Sequence, residues 1–494
     1  MRRLYDIYYM FSNTDILTWR FYLLLLPCVY LYWKLPKFRR TILQLIGIVF
    51  FLLNGITSLP IALYIVLISW CTVVCISRNR SQENERNHKI IKTIGLIAVL
   101  MPMVILRMVS SSHFSYIIDE LSNRKFRAIF PIGVSYITLM AISYIVDCEA
   151  NRCEKQKLGM HFLYLCFFPL AISGPIERPA GMFEQFNSLS DKEFDFDNFF
   201  VGITMIVYGL FAKLVVADRF GIVTNEVFDN YVIYLGYELL FALILYGIQL
   251  YIDFMACTTI VRGLGTCFGI GITENFKQPY LSGSILDFWN RWHISLSTWL
   301  KDYVYIPLGG NRKGKLRGYI NILVTFLVSG LWHGIGLNYI VWGVMHGIYQ
   351  IIGRIIRRKE SNNKSGTIGV KLLNIALVFF LVDFAWLFFR VDIHSAFDIL
   401  IRITKGLDIS FFTNNGYLNL GLNQLEWNIA GIGFLIICIV DWIKIKYCNI
   451  TREKLKNELL IFRYVIVLFF LFGTIVFGKY GYNYDEAAFI YRGF

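Results

Sequence analysis

The stretch FWNRWHISLSTWLKDYVYIPLGG, which runs from Phe288 to Gly310, decides how the chain can fold because it combines aromatic and polar residues at helical spacing. At 100° per residue, one helix face carries Trp289, Trp292, His293, Leu296, Trp299 and Leu300, and the opposite face carries Arg291, Ser295, Thr298 and Asp302. Such a helix is too polar to lie in lipid and too aromatic to lie in water. The pattern predicts an amphipathic helix at the membrane interface or beside a water-filled cavity within a helix bundle.

A second histidine follows at the end of the next apolar run. The basic hairpin NRKGKLRG, Asn311 to Gly318, leads into YINILVTFLVSGLWHG, which ends at Gly334. His333 is the penultimate residue of that run, so its imidazole is expected at or below the hydrocarbon boundary. His293 and His333 therefore bracket the stretch around which the rest of the chain is organised.

The composition predicts a membrane protein. Of the 494 residues, 56% are hydrophobic and 17% are aromatic, and the mean hydropathy is +0.54. Apolar runs of about 17–25 residues recur along the chain, as spanning helices require. We therefore expect an all-α polytopic membrane protein with eleven or twelve transmembrane helices, folded as a single domain over residues 1–494. Between Leu239 and Arg312 ordinary spans do not fit the basic loops, so Phe276 to Tyr305 is expected to be a re-entrant or broken helix.

The charge pattern indicates topology control. The formal net charge is +14, but the Lys and Arg residues are spread through short loops, which favours contact with the lipid bilayer over nucleic-acid binding. The loops expected to face the cytoplasm are Lys34 to Arg40, Arg78 to Lys92, Arg312 to Arg317 and Arg354 to Lys371. The ten cysteines form no CxxC pair, which argues against a disulfide framework and against a metal site.

His333 is the leading candidate for chemistry, because ionisable groups at membrane depth are rare and usually functional. A neutral imidazole there can take a proton from an attacking hydroxyl; the alternative is a histidine that packs helices and hydrogen-bonds a neighbouring carbonyl. His293 either lines the same cavity or anchors its helix at the interface. Arg291 and Asp302 lie three turns apart and do not pair directly. His346, on the next apolar segment, is expected to be structural.

These motifs together resemble the membrane-bound O-acyltransferase (MBOAT) family. The stretch from Phe288 to Gly310 matches its signature region, and LVSGLWHG carries what would be its catalytic histidine, His333. Further similarity to the bacterial branch that O-acetylates alginate or peptidoglycan extends over four other segments, and the core region covers about residues 131–346. Those segments are PIGVSYITLMAISYIVD, FFPLAISGPIERPAGMFEQF, YGLFAKLVVADRF and the C-terminal FIYRGF.

The resemblance implies a helical bundle around a central funnel in a bacterial cytoplasmic membrane, with His333 and His293 as catalytic residues and no bound cofactor. Acetyl-CoA or another acyl thioester would supply the acyl group from the cytoplasm. The acceptor would be an extracytoplasmic polysaccharide or peptidoglycan, reached through a separate SGNH-type acetyltransferase or esterase. The remaining substrate-channel candidates are Arg291, Trp292, Ser295, Asp302 and Trp332. Two alternatives stay open: D-alanyl transfer to teichoic acid, and transport of polysaccharide precursors, in which a midplane histidine would gate a broken helix.

Overall fold

The computed structural model describes residues 16–55, 57–80, 85–109, 131–359, 367–446 and 460–480. These residues form two compact units. The first comprises the described residues up to Ile206 together with Ile260–Thr273, and the second comprises Val207–Thr259 and the described residues from Glu274 onward. Both units consist of helices and turns, and the described ranges contain no β-strand, which confirms the predicted all-α class. The FIYRGF motif and part of the basic loop from Arg354 to Lys371 lie outside the described residues.

The first unit contains one helix that is buried on nearly every side. The helices of this unit are α1 (Trp19–Lys34), α2 (Arg39–Leu53), α3 (Ser58–Arg80), α4 (Glu85–Val109), α5 (Val134–Glu149), α6 (Leu158–Leu165) and α7 (Pro179–Asn187). Nearly all of α5 is buried, and its many small and hydroxyl side chains let neighbouring helices approach closely. α7 begins at Pro179, which suits a first helical position because proline has no N–H to leave unsatisfied there.

The second unit contains the signature stretch. α8 (Phe196–Phe211) and α10 (Tyr237–Cys267) contribute residues to both units. The other helices of the second unit are α9 (Asp218–Asp229), α11 (Ile285–Arg291), α12 (Ile294–Leu300), α13 (Lys315–His333), α14 (Leu337–Lys359), α15 (Ile368–Arg390), α16 (Ile393–Ile403), α17 (Ser410–Thr413), α18 (Gln424–Lys446) and α19 (Leu460–Phe477).

Six helical segments in the described ranges are long and apolar enough to cross a membrane. They are Ser58–Asn79, Arg86–Val109, Phe196–Asp229, Tyr237–Cys267, Ile368–Arg390 and Gln424–Lys446. This agrees with a polytopic membrane protein, although the number meeting both criteria is smaller than the eleven or twelve spans expected from the sequence. The difference arises partly because helices such as α1 and α2 have only 16 and 15 residues, whereas a straight span needs about 20.

The prediction of a single continuous amphipathic helix after Phe288 is wrong. The prediction of a broken helix between Phe276 and Tyr305 is confirmed. α11 ends at Arg291, His293 takes a left-handed conformation (φ 42°, ψ 55°), and α12 begins at Ile294. A π-helical turn, Lys301–Tyr305, follows. The break rotates the second half relative to the first, so Ser295 is buried rather than placed on a polar face with Thr298.

The hairpin of α13 and α14 places His333 beside the following helix. A Cβ atom on Gly330 would lie 2.3 Å from the carbonyl oxygen of Tyr339, and one on Gly343 would lie 2.5 Å from that of Phe326. Both distances are too short for any side chain, so glycine at these positions is what permits the close approach of the two backbones. The hairpin thereby brings His333, at the end of α13, against the first turns of α14.

A buried lysine connects the π-helical turn Ala212–Ala217 to its neighbours in the second unit. Lys213 Nζ lies 2.5 Å from Asp253 Oδ1 and 2.8 Å from Asp218 Oδ1. All three side chains are almost completely buried. Charges at such depth persist when they are paired, and here one ammonium group is shared by two carboxylates.

Candidate active site

The break before α12 is held by a residue from another part of the chain, Asn275. The backbone N–H of Ile294 donates to the Asn275 carbonyl at 3.0 Å, and the N–H of Ser295 donates to Asn275 Oδ1 at 3.0 Å. The first N–H groups of a helix have no partner within it and are usually capped by the residue just before it. That residue is His293, whose side chain does not cap the helix. Asn275 therefore takes over the capping, and the His293 imidazole is directed elsewhere.

His293 is enclosed by aromatic rings. Only 1% of its surface is exposed. Its imidazole meets the ring of Phe254 edge to face at a centroid distance of 4.8 Å, and the Trp332 indole lies 6.3 Å away. The ring is thus part of a packed, water-poor environment and does not anchor the helix at an exposed surface.

His333 lies in the same environment, at the last residue of α13. The rings of Trp332, Trp342 and Phe389 surround it at centroid distances of 4.7, 5.3 and 5.1 Å. It is 3% exposed. Because Trp332 contacts both imidazoles, the fold brings together two histidines that are 40 positions apart in the sequence.

The aromatic cluster continues from His333 to the signature stretch. Trp342 stacks on Trp386 at 5.7 Å, and Trp386 lies 5.0 Å from Trp292. Trp292 in turn stacks on Phe288 at 5.5 Å with an interplanar angle of 18°. Of the predicted channel residues, Trp292 and Trp332 therefore belong to one continuous group of rings with the two histidines.

The polar channel candidates are placed differently. Arg291 Nε contacts Asp287 Oδ1 of its own helix at 3.0 Å, and 34% of its side chain is exposed. The backbone of Ser295 is engaged by Asn275, and Asp302 is half-buried in the π-helical turn. Arg291 thus pairs with Asp287 of its own helix and not with Asp302.

Two further residues belong to this region. Asn275 lies in a loop, where a single asparagine gives no periodic signal, so the sequence did not single it out. His346, on α14, is fully buried and its ring lies 4.9 Å from that of Trp342, an environment compatible with the structural role predicted for it. The signal available for His346 was the same that singled out His333, an ionisable residue inside an apolar segment.

No group of three His, Cys, Asp or Glu side chains that might hold a metal ion occurs in the described ranges. The groups that the cluster offers for chemistry are buried imidazole and indole side chains. A neutral imidazole can accept a proton, and a buried N–H can donate a hydrogen bond to developing negative charge.

Comparison with known proteins relates this region to acyl-transfer proteins. The model of a family described as "MBOAT, membrane-bound O-acyltransferase family" matches residues 156–382, which include His293, His333 and His346. A "Probable alginate O-acetylase" from Pseudomonas fluorescens is 39% identical over 265 residues, covering 53% of this chain and 52% of that protein.

Two other relatives match over longer ranges. A "Peptidoglycan O-acetyltransferase" from Helicobacter pylori is 28% identical over 409 residues, covering 76% of this chain and 75% of that protein. A "Teichoic acid D-alanyltransferase" from Streptococcus thermophilus is 25% identical over 324 residues, covering 63% and 75%. The chain spans about half the length of the alginate O-acetylases it matches.

Proposed function

We propose that this chain, which belongs to the membrane-bound O-acyltransferase family, transfers an acyl group from a thioester donor to a hydroxyl acceptor. The group that we propose is acetyl, in keeping with the names of its relatives. The observation that carries the proposal is the buried pair of imidazoles, His293 and His333, packed against the same indole of Trp332. We treat residues 1–494 as a single acyltransferase domain. Its core signature region, about residues 131–346, contains both histidines.

In the proposed reaction His333 acts as the general base. Its imidazole takes the proton of the acceptor hydroxyl as the hydroxyl oxygen bonds to the thioester carbonyl carbon. The carbon–sulfur bond then breaks, and the imidazolium returns the proton to the departing thiolate, so that the histidine is neutral again. The rings around His333 keep bulk water from the reacting carbon, which favours transfer over hydrolysis.

His293 is proposed to line the acyl path on the other side of Trp332. Its left-handed backbone, fixed by Asn275, aims the imidazole at the ring cluster instead of at the start of α12. Trp292 and Trp332 are proposed as further lining of the channel. Arg291 and Asp302, which are partly exposed, remain candidates for the entrance of the channel, and Ser295, which is buried, remains a candidate for its lining.

The donor and acceptor follow from the same family relationship. We propose acetyl-CoA or another acyl thioester on the cytoplasmic side, and a hydroxyl of a polysaccharide or of peptidoglycan outside the bacterial cytoplasmic membrane. The acceptor class is supported by the names of the alginate and peptidoglycan relatives. A separate SGNH-type acetyltransferase or esterase is proposed as the partner that delivers the group to its final acceptor.

D-alanyl transfer is the second candidate, supported by the relative named for teichoic acid. The proposed mechanism is the same, but the donor differs. The family match favours either form of acyl transfer over transport of a polysaccharide precursor.

The test uses the purified full chain in lipid vesicles. We expect release of free thiol from acetyl-CoA by the chain alone, and appearance of labelled acetyl ester in a polysaccharide or peptidoglycan acceptor once the SGNH-type partner is added. We expect His333→Ala to lower the rate by about 10²–10⁴, the usual contribution of a general base. The thermal unfolding midpoint of the variant should stay near that of the parent. Near-normal transfer by a folded His333→Ala protein would contradict the assignment, and turnover of a D-alanyl thioester alone would favour the second candidate.

A further inference from the structure

His346 is connected to the candidate active site by the rings that surround it. It is fully buried on α14, where the Trp342 indole lies 4.9 Å from its imidazole and 5.3 Å from that of His333. The Trp386 ring, at 6.0 Å from His346, belongs to the same cluster. The Trp342 indole thus contacts both His346 and the proposed general base.

The tautomer of His346 is determined by Trp289. The indole Nε1 of Trp289 lies 3.4 Å from His346 Nδ1, and the two ring planes are nearly perpendicular. An indole N–H can only donate a hydrogen bond, so Nδ1 must be the acceptor and carries no proton. The imidazole is therefore neutral, and its proton is on Nε2.

A second contact holds this arrangement in place. Gln350, one turn after His346 on α14, donates from its side-chain amide to the carbonyl of Ile285 at 3.3 Å. Ile285 begins α11, and Trp289 follows one turn later on that helix. The two helices are thus joined at neighbouring turns, which keeps the indole N–H directed at Nδ1.

The Nε2–H group of His346 has no hydrogen-bond partner among the residues that the structure describes. A buried N–H without a partner costs about 1–3 kcal/mol, and the indole N–H of Trp342 in the same cluster likewise has no partner among the described residues. In a pocket for acyl transfer, the ligand that matches a neutral N–H donor is an oxygen atom that gains negative charge during the reaction.

We infer that His346 is a further catalytic residue, whose Nε2–H stabilises the oxyanion of the tetrahedral intermediate. The inference rests on the proposed function. When the acceptor oxygen bonds to the thioester carbon, the carbonyl π electrons move to the carbonyl oxygen, which accepts a hydrogen bond from Nε2–H. When the carbon–sulfur bond breaks, the carbonyl reforms and the hydrogen bond weakens. The proton of His346 stays on Nε2 throughout, while His333 alone carries the transferred proton.

A neutral imidazole suits this role better than a charged one. A permanent positive charge would have to be buried among rings in the absence of substrate, at high cost in free energy. It would also stabilise the ground state of the donor, whereas catalysis requires an interaction that becomes stronger in the transition state. Trp289 therefore acts as a positioning residue, because it selects the tautomer in which Nε2–H is free to donate to the substrate.

The experiment compares two variants of matched size, His346→Gln and His346→Met. A glutamine amide places an N–H near the position of Nε2, whereas methionine fills similar space without a donor. For acetyl-CoA cleavage by the full chain in vesicles, we expect His346→Met to lower kcat by about 10²–10³ with little change in KM. His346→Gln should retain most of the turnover. Equal losses in both variants, or unchanged kcat in His346→Met, would overturn the inference.

A double-mutant cycle with Trp289→Phe tests the tautomer argument. In the parent protein this change frees the imidazole to adopt the other tautomer, so kcat should fall. In the His346→Gln background it should have no further effect, because an amide has no tautomer to select. Equal losses in the two backgrounds would mean that Trp289 acts only through packing and would overturn the positioning role.

Two controls separate this inference from the proposed function itself. Tyr349→Phe alters a ring that lies 5.7 Å from His346 but keeps every N–H donor, so it should leave kcat unchanged. If the parent protein cleaves acetyl-CoA and His333→Ala abolishes cleavage while His346→Met does not, the proposed function stands and the role of His346 is wrong. If the parent cleaves no acyl thioester at all, the proposed function fails first.

Discussion

At the level of single residues, the environment of a histidine is what decides its use. His333 and His293 contact the same indole, but different backbone conformations place them there. His333 ends a regular helix, where a glycine follows it. His293 is forced into a left-handed conformation that a non-glycine residue adopts only when the surrounding structure compensates for the strain.

The role of His293 in the acyl path gives the first prediction. We expect His293→Ala to reduce turnover strongly, and His293→Gln to recover part of it because the amide keeps a hydrogen-bonding group at the ring cluster. Rates of acetyl-CoA cleavage and thermal unfolding midpoints should be measured on the same preparations. Full turnover in both variants would show that the residue lies outside the path, and parallel losses of stability and rate would indicate a structural role.

At the level of secondary-structure elements, the short helices α11 and α12 depend on contacts from outside their own sequence. A seven-residue helix cannot sustain itself in isolation, because nucleation fixes many dihedral angles for few hydrogen bonds. α12 gains its stability from Asn275, which satisfies two of its first N–H groups, and from the buried rings on either side.

Removal of the Asn275 side chain should therefore loosen the break. Loss of a capping group typically costs about 0.5–2 kcal/mol, so Asn275→Ala should lower the unfolding midpoint and also reduce kcat by displacing His293. Asn275→Asp keeps the accepting oxygen and should preserve both properties more nearly. Thr298→Ala, on the exposed side of α12, is the matched control and should change neither. Equal damage from the Ala and Asp variants would argue against capping as the cause.

The buried ion pairs of Lys213, in the π-helical turn, lead to a second prediction at the level of secondary-structure elements. Lys213→Met leaves two buried carboxylates without their common partner, and we expect a loss of roughly 3–5 kcal/mol in stability. The triple variant Lys213→Met, Asp218→Asn, Asp253→Asn should regain most of that loss. Asp398→Asn provides the control, because Asp398 is partly exposed and its carboxylate lies 3.0 Å from Arg402 on the same helix, a pair worth about 0–1 kcal/mol. Denaturation in detergent measures all three, and an unaffected Lys213→Met protein would refute the argument.

At the level of the whole molecule, the basic loops predict which surfaces face the cytoplasm. The hairpin after Gly310 carries four Lys and Arg residues, and Asn321 holds it by donating to the Gly310 carbonyl at 2.9 Å. On the cytoplasmic side these charges obey the positive-inside tendency. They would also attract the phosphates of coenzyme A, if that is the donor as we propose.

Cysteine labelling tests this arrangement. In a variant without the native cysteines, single cysteines at Lys313 and Asn414, both exposed, should react with impermeant reagents from opposite sides of the membrane. A cysteine at exposed Lys37 should label from the same side as Lys313. Lys313 is preferable to Gly314, whose φ of 95° would strain any other residue. Labelling of Lys313 and Asn414 from one side would contradict the re-entrant interpretation of Phe276 to Tyr305.

The sequence by itself determined the class of protein and the leading histidine. Long apolar runs require helices, because lipid cannot satisfy backbone hydrogen bonds, and a histidine at the end of such a run is conspicuous for its chemistry. The same reasoning gave a broken helix somewhere between Phe276 and Tyr305. That prediction rested on the observation that ordinary spans between Leu239 and Arg312 do not fit the positions of the basic loops, and it did not say at which residue the helix breaks.

Only the tertiary structure decided where the break lies and what surrounds the histidines. The helix that begins after His293 is capped by Asn275, a residue 18 positions before that histidine. These hydrogen bonds depend on how two chain segments pack together, which the spacing of apolar residues in the sequence does not show. The tautomer of His346 likewise depends on an indole from α11, 57 positions away. Hydrophobic pattern fixes which segments are helices, but the partner of a polar group is set by packing between helices, and packing is a property of the folded chain.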